Sequence, residues 1–231
     1  MIPPPFPSPE AGVPGLTDLA HQTVRRAVRA MRQAEGDLPF LLVDATAGNG
    51  HDTLFLAQCA AEGSGGEVLA LDVQQAALDQ TRARLAAASP NRASLAGRTR
   101  FLLLGHEHLE SCLRRLIAEE AAPARLAAVL FNLGFLPGSD KRVVTRPETT
   151  RAALEGATRL LCAGGVVAVH MYSGHPGGRE ECEAVLDFAA SLPWKQWRVL
   201  SLAQHNKPRN REWLILAERR ADRGSQRPGG E

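Results

Sequence analysis

Apolar runs alternate with stretches of helical periodicity along most of the chain. Five runs are apolar almost throughout, namely FLLVDAT, EVLALDV, TRFLLLG, LAAVLFNLG and GGVVAVHMYSG. Strands that are apolar on both faces are typical of a parallel sheet covered by helices on both sides. An amphipathic helix with Thr17 as its predicted N-cap precedes the first run. The intervening helices are predicted to begin near Asp52, Gln75, Glu107, Thr149 and Gly178.

The alternation stops before the C-terminus. Two strand-like runs, WKQWRVLSLA and REWLILAER, are joined only by QHNKPRN, which is too short for a crossover helix. They are expected to pair as an antiparallel hairpin at a sheet edge. The chain is therefore predicted to be an α/β protein with a doubly wound, mostly parallel, seven-stranded Rossmann-like sheet and a C-terminal antiparallel hairpin.

The two ends of the chain differ in composition from the middle. Residues 1–16 are rich in proline and are expected to form a flexible leader. Residues 17–220 carry the alternating pattern and are predicted to form a single domain. Residues 221–231 are polar and rich in glycine, which predicts a disordered tail.

Composition narrows the class of protein only slightly. The 27 Lys and Arg residues nearly balance the 25 Asp and Glu residues, so net charge neither requires nor excludes a nucleic-acid partner. The four cysteines are far apart and form no C-x-x-C pair, which indicates reduced core thiols and no metal site. No apolar run approaches the roughly 20 residues needed to cross a bilayer. A cytoplasmic protein without a membrane anchor is expected.

The segment VDATAGNGHD follows the first predicted strand and carries the first chemical signal. Ligands of doubly wound sheets bind beyond the carboxyl ends of the strands. Gly48 and Gly50 permit a tight turn, and the helix near Asp52 directs its positive end at that turn. Asp72 ends the second strand 22 residues after Gly50, close to the offset of carboxylates that bind ribose hydroxyls.

Together these features predict a nucleoside cofactor. The pattern is neither G-x-x-x-x-G-K-[ST] nor G-x-G-x-x-G, which disfavours an NTPase and an ordinary dinucleotide site. In the alternative interpretation the glycines serve only the turn and Asp72 only caps a helix.

Five motifs in order resemble a known family: VDATAGNGHDTLFLA, ALDVQQAALDQTRARL, FNLGFLPGSDK, TRPETTRAALE and YSGHPGGREE. The chain resembles, from about residue 17 to about residue 217, the small class I S-adenosylmethionine-dependent methyltransferases once labelled ribosomal RNA methylases. The resemblance implies methylation of the aminomethyl nitrogen of 5-aminomethyl-2-thiouridine at the wobble position of transfer RNA. The implied cofactor is S-adenosylmethionine, and the implied partner is the anticodon stem-loop. A homodimer is compatible with the sequence.

The resemblance also implies a set of cofactor residues. Asp44 and the turn from Gly48 to Gly50 would hold the amino acid end of the cofactor, and Asp72 its ribose. His106 would lie near the adenine, or else simply cap a helix. The full set of expected cofactor-binding residues is Asp44, Thr46, Gly48, Asn49, Gly50, Asp52, Thr53, Asp72, Val73 and His106.

The acceptor is expected at the end of the fourth strand, in NLGFLPGSDK. Amino-directed methyltransferases of this fold often carry N-P-P-[YF] there, and Asn132 and Phe135 keep the polar and aromatic positions. An alkylamine of pKa about 10 must lose a proton before it attacks. Carbonyl oxygens at Asn132 could orient that amine, with His170 and Tyr172 as alternative catalytic residues. Asn132 could equally be an ordinary turn residue.

Transfer RNA would need phosphate and base contacts. Lys141, Arg146, Lys207 and Arg209 are the predicted phosphate ligands, together with Arg211 at the hairpin tip, although each could be only a solvated charge. Phe135, Tyr172 and His175 are expected to contact bases. Trp194 is a further candidate for stacking, but it is expected in the core.

Three other functions compete with this one. A methyltransferase of ribosomal RNA or of a small molecule would use the same cofactor site. A non-catalytic RNA-binding or nucleotide-binding module would keep the glycine turn but not the acceptor pocket. An NAD-dependent oxidoreductase is disfavoured because G-x-G-x-x-G is missing.

Overall fold

A seven-stranded sheet lies at the centre of a computed structural model of the chain, which describes residues 13–36, 38–88, 95–119, 125–135, 144–207 and 211–221. Five strands pair in parallel and the last two run antiparallel, in the order β3-β2-β1-β4-β5-β7-β6. The strands are β1 (Phe40–Asp44), β2 (Gly66–Asp72), β3 (Thr99–Leu103), β4 (Arg125–Asn132), β5 (Leu161–Tyr172), β6 (Trp197–Ala203) and β7 (Glu212–Arg219). The predicted fold class, including the hairpin, is confirmed.

In the described part of the chain, six α-helices connect or cover the strands. They are α1 (Leu16–Glu35), α2 (His51–Ala61), α3 (Gln75–Ala88), α4 (Leu109–Glu119), α5 (Pro147–Leu160) and α6 (Gly178–Ser191). None of the helices in the described ranges is long and apolar enough to cross a membrane.

Successive residues of the central strands point to opposite faces of the sheet, so each strand supplies two cores. Val43 and Val129 face the side covered by α4, α5 and α6. Their neighbours Leu42 and Leu130 face the side covered by α1, α2 and α3. All four side chains are buried, which explains why these strands are continuous apolar runs.

The winding direction reverses between β1 and β4. From β1 the chain proceeds through β2 to β3 on one side, and then crosses to β4 and β5 on the other. This arrangement leaves a crevice at the carboxyl ends of β1 and β4, where ligands of doubly wound sheets bind.

Two local expectations were wrong. The N-cap of α1 is Gly15 and not Thr17, because the Asp18 carboxylate accepts the Gly15 N–H at 3.3 Å and thereby fixes the first turn. The helix expected near Glu107 is present, as a 3-10 turn over His106–His108 that continues directly into α4 from Leu109.

The second wrong expectation is the core position of Trp194, because this side chain is 73% exposed. It lies in a turn closed by the N–H groups of Gln196 and Trp197, which donate to the carbonyl of Pro193. Trp197 is the buried tryptophan of this segment.

The expectations for the chain ends fall largely outside the described residues, because residues 1–12 of the leader and 222–231 of the tail are not among them. Lys141 and Arg209, two of the predicted phosphate ligands, also lie outside the described residues.

Candidate active site

A cavity of about 730 Å³ lies at the carboxyl ends of the parallel strands. Its volume suits a small-molecule cofactor. The loops after β1, β2, β3, β4 and β5 supply the wall. The residues on that wall are Ala45, Thr46, Ala47, Gly48, Asn49, His51, Asp52, Asp72, Val73, Gln74, Leu104, Gly105, His106, Glu107, Asn132, Leu133, Gly134, Phe135, Val144, Thr145, Arg146, Thr149, Tyr172, Gly174 and His175.

The turn after β1 depends on two glycines in the left-handed region. Gly48 has φ 51° and Gly50 has φ 78°. A Cβ atom on Gly50 would stand 2.7 Å from the Cα of Thr81, so this glycine also permits close packing against α3. Gly50 does not line the cavity, whereas Gly48 and Asn49 do. Because α2 begins at His51, the positive end of that helix faces the turn.

Asp72 connects the turn after β1 to the end of β2. Its Oδ2 accepts the N–H of Gly48 at 3.0 Å, and its Oδ1 accepts the N–H of Gln74 at 2.9 Å. Each carboxylate oxygen has two lone pairs, so both can still accept a ligand hydroxyl. Asp72 is half-buried on the cavity wall, where such a hydroxyl could reach it.

Asp44 lies behind the wall and does not line the cavity. It is completely buried and accepts hydrogen bonds from the Thr46 N–H at 3.1 Å and the Thr53 hydroxyl at 2.6 Å. Burial and repulsion from Asp52 raise the pKa of Asp44 to about 7. The structure therefore gives Asp44 and Thr53 a supporting position beneath the turn, because their polar atoms are directed at each other and at the backbone.

Asp52 lines the cavity and contacts a histidine on α1. Its Oδ1 is 2.7 Å from Nε2 of His21 on α1, and the imidazole stacks on Phe55 with ring centroids 3.8 Å apart. His21 was not predicted as a site residue. It lies 31 residues from Asp52 and had no motif of its own, so only the packing of α1 identifies it.

His106 lies on the wall after β3. It is 7% exposed, and burial lowers its pKa, so the ring is neutral at physiological pH. Its Nε2 is enclosed and has no hydrogen-bond partner among the residues that the structure describes. Buried polar atoms of native proteins usually have a partner, and His106 lines the cavity, so a bound ligand or water would supply the partner of this nitrogen. Val73, 58% exposed, offers apolar surface on the same cavity.

The end of β4 is fixed by its backbone. The Asn132 N–H donates to the Thr46 hydroxyl at 2.7 Å, and the Leu133 N–H donates to the carbonyl of His170 at 2.8 Å. The exposed Asn132 lines the cavity. Within the described ranges its side-chain amide has no hydrogen bond. Phe135 lines the same wall, with its ring edge-on to that of His175 at 6.0 Å.

The two predicted catalytic residues on β5 occupy different positions. Tyr172 lines the cavity, whereas His170 lies behind it and stacks on the Tyr172 ring at 4.8 Å. His170 Nε2 is 2.9 Å from Glu212 and Nδ1 is 3.4 Å from the Thr17 hydroxyl.

Both nitrogens of the His170 ring are thus engaged away from the cavity, so neither nitrogen faces the cavity in this arrangement. Burial, with the nearby charge of Glu212, raises the pKa of Tyr172 to about 12, so the phenol stays protonated.

The basic residues that were predicted to bind phosphate differ in their surroundings, as far as the structure describes them. Arg146 is exposed on the cavity wall, and the Arg211 side chain packs beside Gly174 on the same rim. Neither guanidinium has an acidic partner among the described residues. Lys207, in contrast, contacts Glu212 at 3.1 Å. The predicted phosphate ligands are therefore not equivalent, and Arg146 and Arg211 are the better placed.

Glu181 and Thr145 were missed as site residues. They lie in the YSGHPGGREE and TRPETT segments, in which no function is predicted for either residue. Thr145 lines the cavity, and its hydroxyl donates to Glu181 at 2.7 Å. Among the described residues, no group of three or more His, Cys, Asp or Glu is arranged to hold a metal ion.

The sequence is similar to that of a described protein family and to that of a curated relative. The family model described as "Putative rRNA methylase" matches residues 68–218. A curated relative from Arabidopsis thaliana, the chloroplastic tRNA (mnm(5)s(2)U34)-methyltransferase, is 34% identical over 195 residues, which cover 83% of this chain. The chain spans 65% of the length of that relative.

Solved structures agree over most of the chain. The crystal structure of a putative rRNA-methylase from Clostridium thermocellum is 29% identical with a TM-score of 0.73, and the match covers 90% of this chain and all of that one. A putative methyltransferase from Streptococcus mutans, solved in complex with SAH, is 27% identical with a TM-score of 0.70 and matches over 90% and 99% of the two chains. The fold is thus that of the class I methyltransferases.

Proposed function

The chain belongs to the rRNA methylase family, and on that premise we propose that it is an S-adenosylmethionine-dependent methyltransferase. The observation that carries the proposal is the junction of Gly48 with Asp72, which joins the glycine turn of β1 to a carboxylate at the end of β2. That junction lies on the wall of a cavity of about 730 Å³ at the switch point of the sheet. The Streptococcus mutans relative supports the choice of cofactor, because it was solved with SAH.

The cavity wall fits the chemical groups of this cofactor. Asp72 presents carboxylate oxygens suited to ribose hydroxyls, and the enclosed Nε2 of His106 needs a polar partner. The apolar surface of Val73 and the aliphatic Leu104 suit a purine ring. Asp52, Gly48 and Asn49 would hold the amino acid end, near the positive end of α2. When bound, S-adenosylmethionine supplies an electrophilic methyl group on a sulfonium centre.

The proposed acceptor is the aminomethyl nitrogen of 5-aminomethyl-2-thiouridine at the wobble position of transfer RNA. The Arabidopsis thaliana relative, a tRNA (mnm(5)s(2)U34)-methyltransferase by name, supports this choice. The acceptor side of the cavity is also suited to an amine, since Asn132 presents an amide carbonyl and Tyr172 a neutral phenol there. Both groups can accept a hydrogen bond from an N–H.

The residues at the end of β4 would act by orientation. An amine must be neutral and must direct its lone pair along the line of the breaking bond. Asn132 can accept one N–H and Tyr172 another, which leaves the lone pair directed into the cavity. The fixed backbone of Asn132, held by Thr46, supports that alignment. Aromatic contact from Phe135 would position the extruded base.

Phosphate contacts would come from the rim. Arg146 and Arg211 lie beside the cavity without acidic partners among the described residues, and their guanidinium groups suit phosphate oxygens. These contacts would set the position of the anticodon stem-loop and contribute affinity. We also propose that the protein works in the cytoplasm, where its free cysteines would stay reduced. A homodimer stays a prediction.

The test is nucleoside mass spectrometry of total transfer RNA from a strain that lacks the gene. We expect 5-aminomethyl-2-thiouridine to accumulate and its methylated form to disappear, with recovery when the gene is restored. The purified protein should methylate the deletion strain's transfer RNA with labelled S-adenosylmethionine. The family description makes ribosomal RNA the second candidate acceptor, so the same assay is run with ribosomal RNA. Label incorporated only into ribosomal RNA would overturn the transfer RNA assignment.

A further inference from the structure

A buried carboxylate lies next to the acceptor side of the cavity. Glu181, in the first turn of α6, is 1% exposed. Its Oε2 accepts the hydroxyl of Thr145 at 2.7 Å, and its Oε1 accepts the hydroxyl of Thr150 at 2.6 Å. A buried carboxylate is costly unless hydrogen bonds compensate it. Here two hydroxyl donors and the positive end of α6 provide that compensation.

Thr145 transmits the position of Glu181 to the end of β4. The same hydroxyl that donates to Glu181 accepts the Gly134 N–H at 2.9 Å, and the Thr145 N–H donates to the Gly134 carbonyl at 3.0 Å. Gly134 has φ 137°, a conformation that only glycine adopts readily, and it lies two residues after Asn132. Glu181 is thus connected through one side chain to the backbone that carries the proposed acceptor contact.

We propose that Glu181 is a positioning residue for methyl transfer, which fixes the Gly134 backbone through Thr145 and thereby the direction of Asn132. This inference rests on the proposed function. It assigns a role to the TRPETT and GREE segments, which supply the two threonines and the carboxylate.

A carboxylate side chain suits this positioning role better than an amide. The two threonine hydroxyls donate to different oxygens of Glu181, so the side chain needs an acceptor at both positions. A glutamine would offer one acceptor oxygen and one N–H₂ donor. The threonine hydroxyl that faces this N–H₂ group could no longer donate to residue 181. The hydrogen bond of residue 181 to either Thr145 or Thr150 would therefore weaken.

Thr150 provides a matched control. Thr145 and Thr150 donate to the same carboxylate, but only the Thr145 hydroxyl also accepts from Gly134. Thr145→Val and Thr150→Val therefore remove equivalent hydroxyls from Glu181. If the network has a purely structural role, the two substitutions should disturb the end of β4 equally. If Glu181 positions the Gly134 backbone through Thr145, Thr145→Val should disturb it more than Thr150→Val.

The first measurement is independent of any activity. Hydrogen exchange of the Gly134 amide, followed by NMR in the full chain, should accelerate about tenfold or more in Thr145→Val and Glu181→Gln, because the amide loses its acceptor or the acceptor becomes mobile. Thr145→Ser, which keeps the hydroxyl, should exchange at the wild-type rate. Equal exchange in Thr145→Val and Thr150→Val at matched melting temperature would overturn the proposal.

The second measurement is the single-turnover rate with transfer RNA from the deletion strain. We expect Thr145→Val and Glu181→Gln to lower that rate roughly ten- to a hundredfold, with S-adenosylmethionine affinity unchanged and Thr150→Val less affected. Thr145→Ser should recover most of the rate. If the wild-type protein transfers no methyl group to this transfer RNA, the proposed function itself is refuted. An active wild type with equally active Thr145→Val and Thr150→Val variants would refute only the role of Glu181.

Discussion

The Gly48 N–H donates to Oδ2 of Asp72 at 3.0 Å, so the glycine turn of β1 and the acid at the end of β2 form one unit. The other oxygen of Asp72 accepts the Gln74 N–H at 2.9 Å. Asp72 therefore serves two purposes, since it shapes the turn that receives the cofactor and still has lone pairs for ribose hydroxyls.

The first prediction concerns Asp72→Ala. Loss of its charge-assisted hydrogen bonds should cost on the order of 1.5 to 3 kcal/mol of binding, which is roughly ten- to a hundredfold in S-adenosylmethionine affinity. Calorimetric titration measures this change. The melting temperature should also fall, because Gly48 and Gln74 lose their acceptor.

Asp79→Ala is the control for Asp72→Ala, since it removes the same charge from an exposed position on α3 that does not line the cavity. Its affinity should equal that of the wild type. If a folded Asp72→Ala protein also binds as tightly as the wild type, Asp72 does not contact the cofactor.

The second prediction concerns RNA binding by the rim. Arg146→Ala and Arg211→Ala should each weaken transfer RNA binding and lower the magnitude of the log-affinity versus log-salt slope by roughly 0.7 to 0.9. Cofactor affinity should be unaffected. Fluorescence anisotropy over a range of salt concentrations provides the slope.

Arg151→Ala is the matched control for Arg146→Ala. Arg146 is the N-cap residue of α5, and Arg151 lies in the first turns of that helix, paired with Glu155 at 3.1 Å. Its removal changes the net charge equally but should leave the slope nearly unchanged. A uniform decrease in all three variants would indicate that general charge, and not phosphate contact by the rim, determines binding.

The third prediction concerns the pH dependence of stability. Burial raises the pKa of Asp44 from 3.8 in the unfolded reference to about 7. The folded state therefore holds this proton more tightly, and the associated stabilisation is complete below pH 3.8 and is lost as the pH rises to about 7. In Asp44→Asn no such loss can occur, while the amide can still bond Thr46 and Thr53.

Urea unfolding of both proteins from pH 4 to pH 8 measures the difference. The stability of the wild type relative to Asp44→Asn should fall with rising pH by at most about 1.4 kcal/mol per pH unit in that window. Buried histidines such as His106 and His170 titrate in both proteins, so their contributions cancel in the comparison. A difference that is constant with pH would show that Asp44 is ionised in the folded protein throughout the range.

The sequence predicted the fold well because its determinants are local. Continuous apolar runs such as LAAVLFNLG can be buried on both faces only in a covered parallel sheet, and seven residues between the last two strands allow only a hairpin. The position of Asp72 could be predicted for the same reason, since strand ends collect at one edge of the sheet.

The directions of the side chains were harder to predict from the sequence than the fold. Asp44 and His170 both lie at strand ends, but one points beneath the turn and the other toward Thr17 and Glu212. His21 and Glu181 act on the site from α1 and α6, and their contacts depend on how those helices pack. No spacing in the sequence contains that information, because each contact joins residues more than 30 positions apart.

The last prediction concerns the chemical step. Asn132→Ala should lower the single-turnover rate of methyl transfer about a hundredfold or more, roughly 2.7 kcal/mol of barrier, with little change in cofactor or RNA affinity. The reason is that its carbonyl would contact the amine most strongly in the aligned transition state. The fold should be preserved, because Asn132 contacts Thr46 through its backbone N–H, which alanine retains.

Asn132→Asp separates orientation from the mere presence of a polar side chain. Aspartate keeps an acceptor oxygen at the same position, so it should retain more activity than alanine. Its negative charge also favours the ammonium form of the acceptor, so the rate should require a higher pH than in the wild type. A rate–pH profile of the single-turnover reaction tests both expectations. If Asn132→Ala keeps nearly the full rate, Asn132 is only a turn residue, and Tyr172, which lines the same cavity, becomes the candidate for holding the nucleophile.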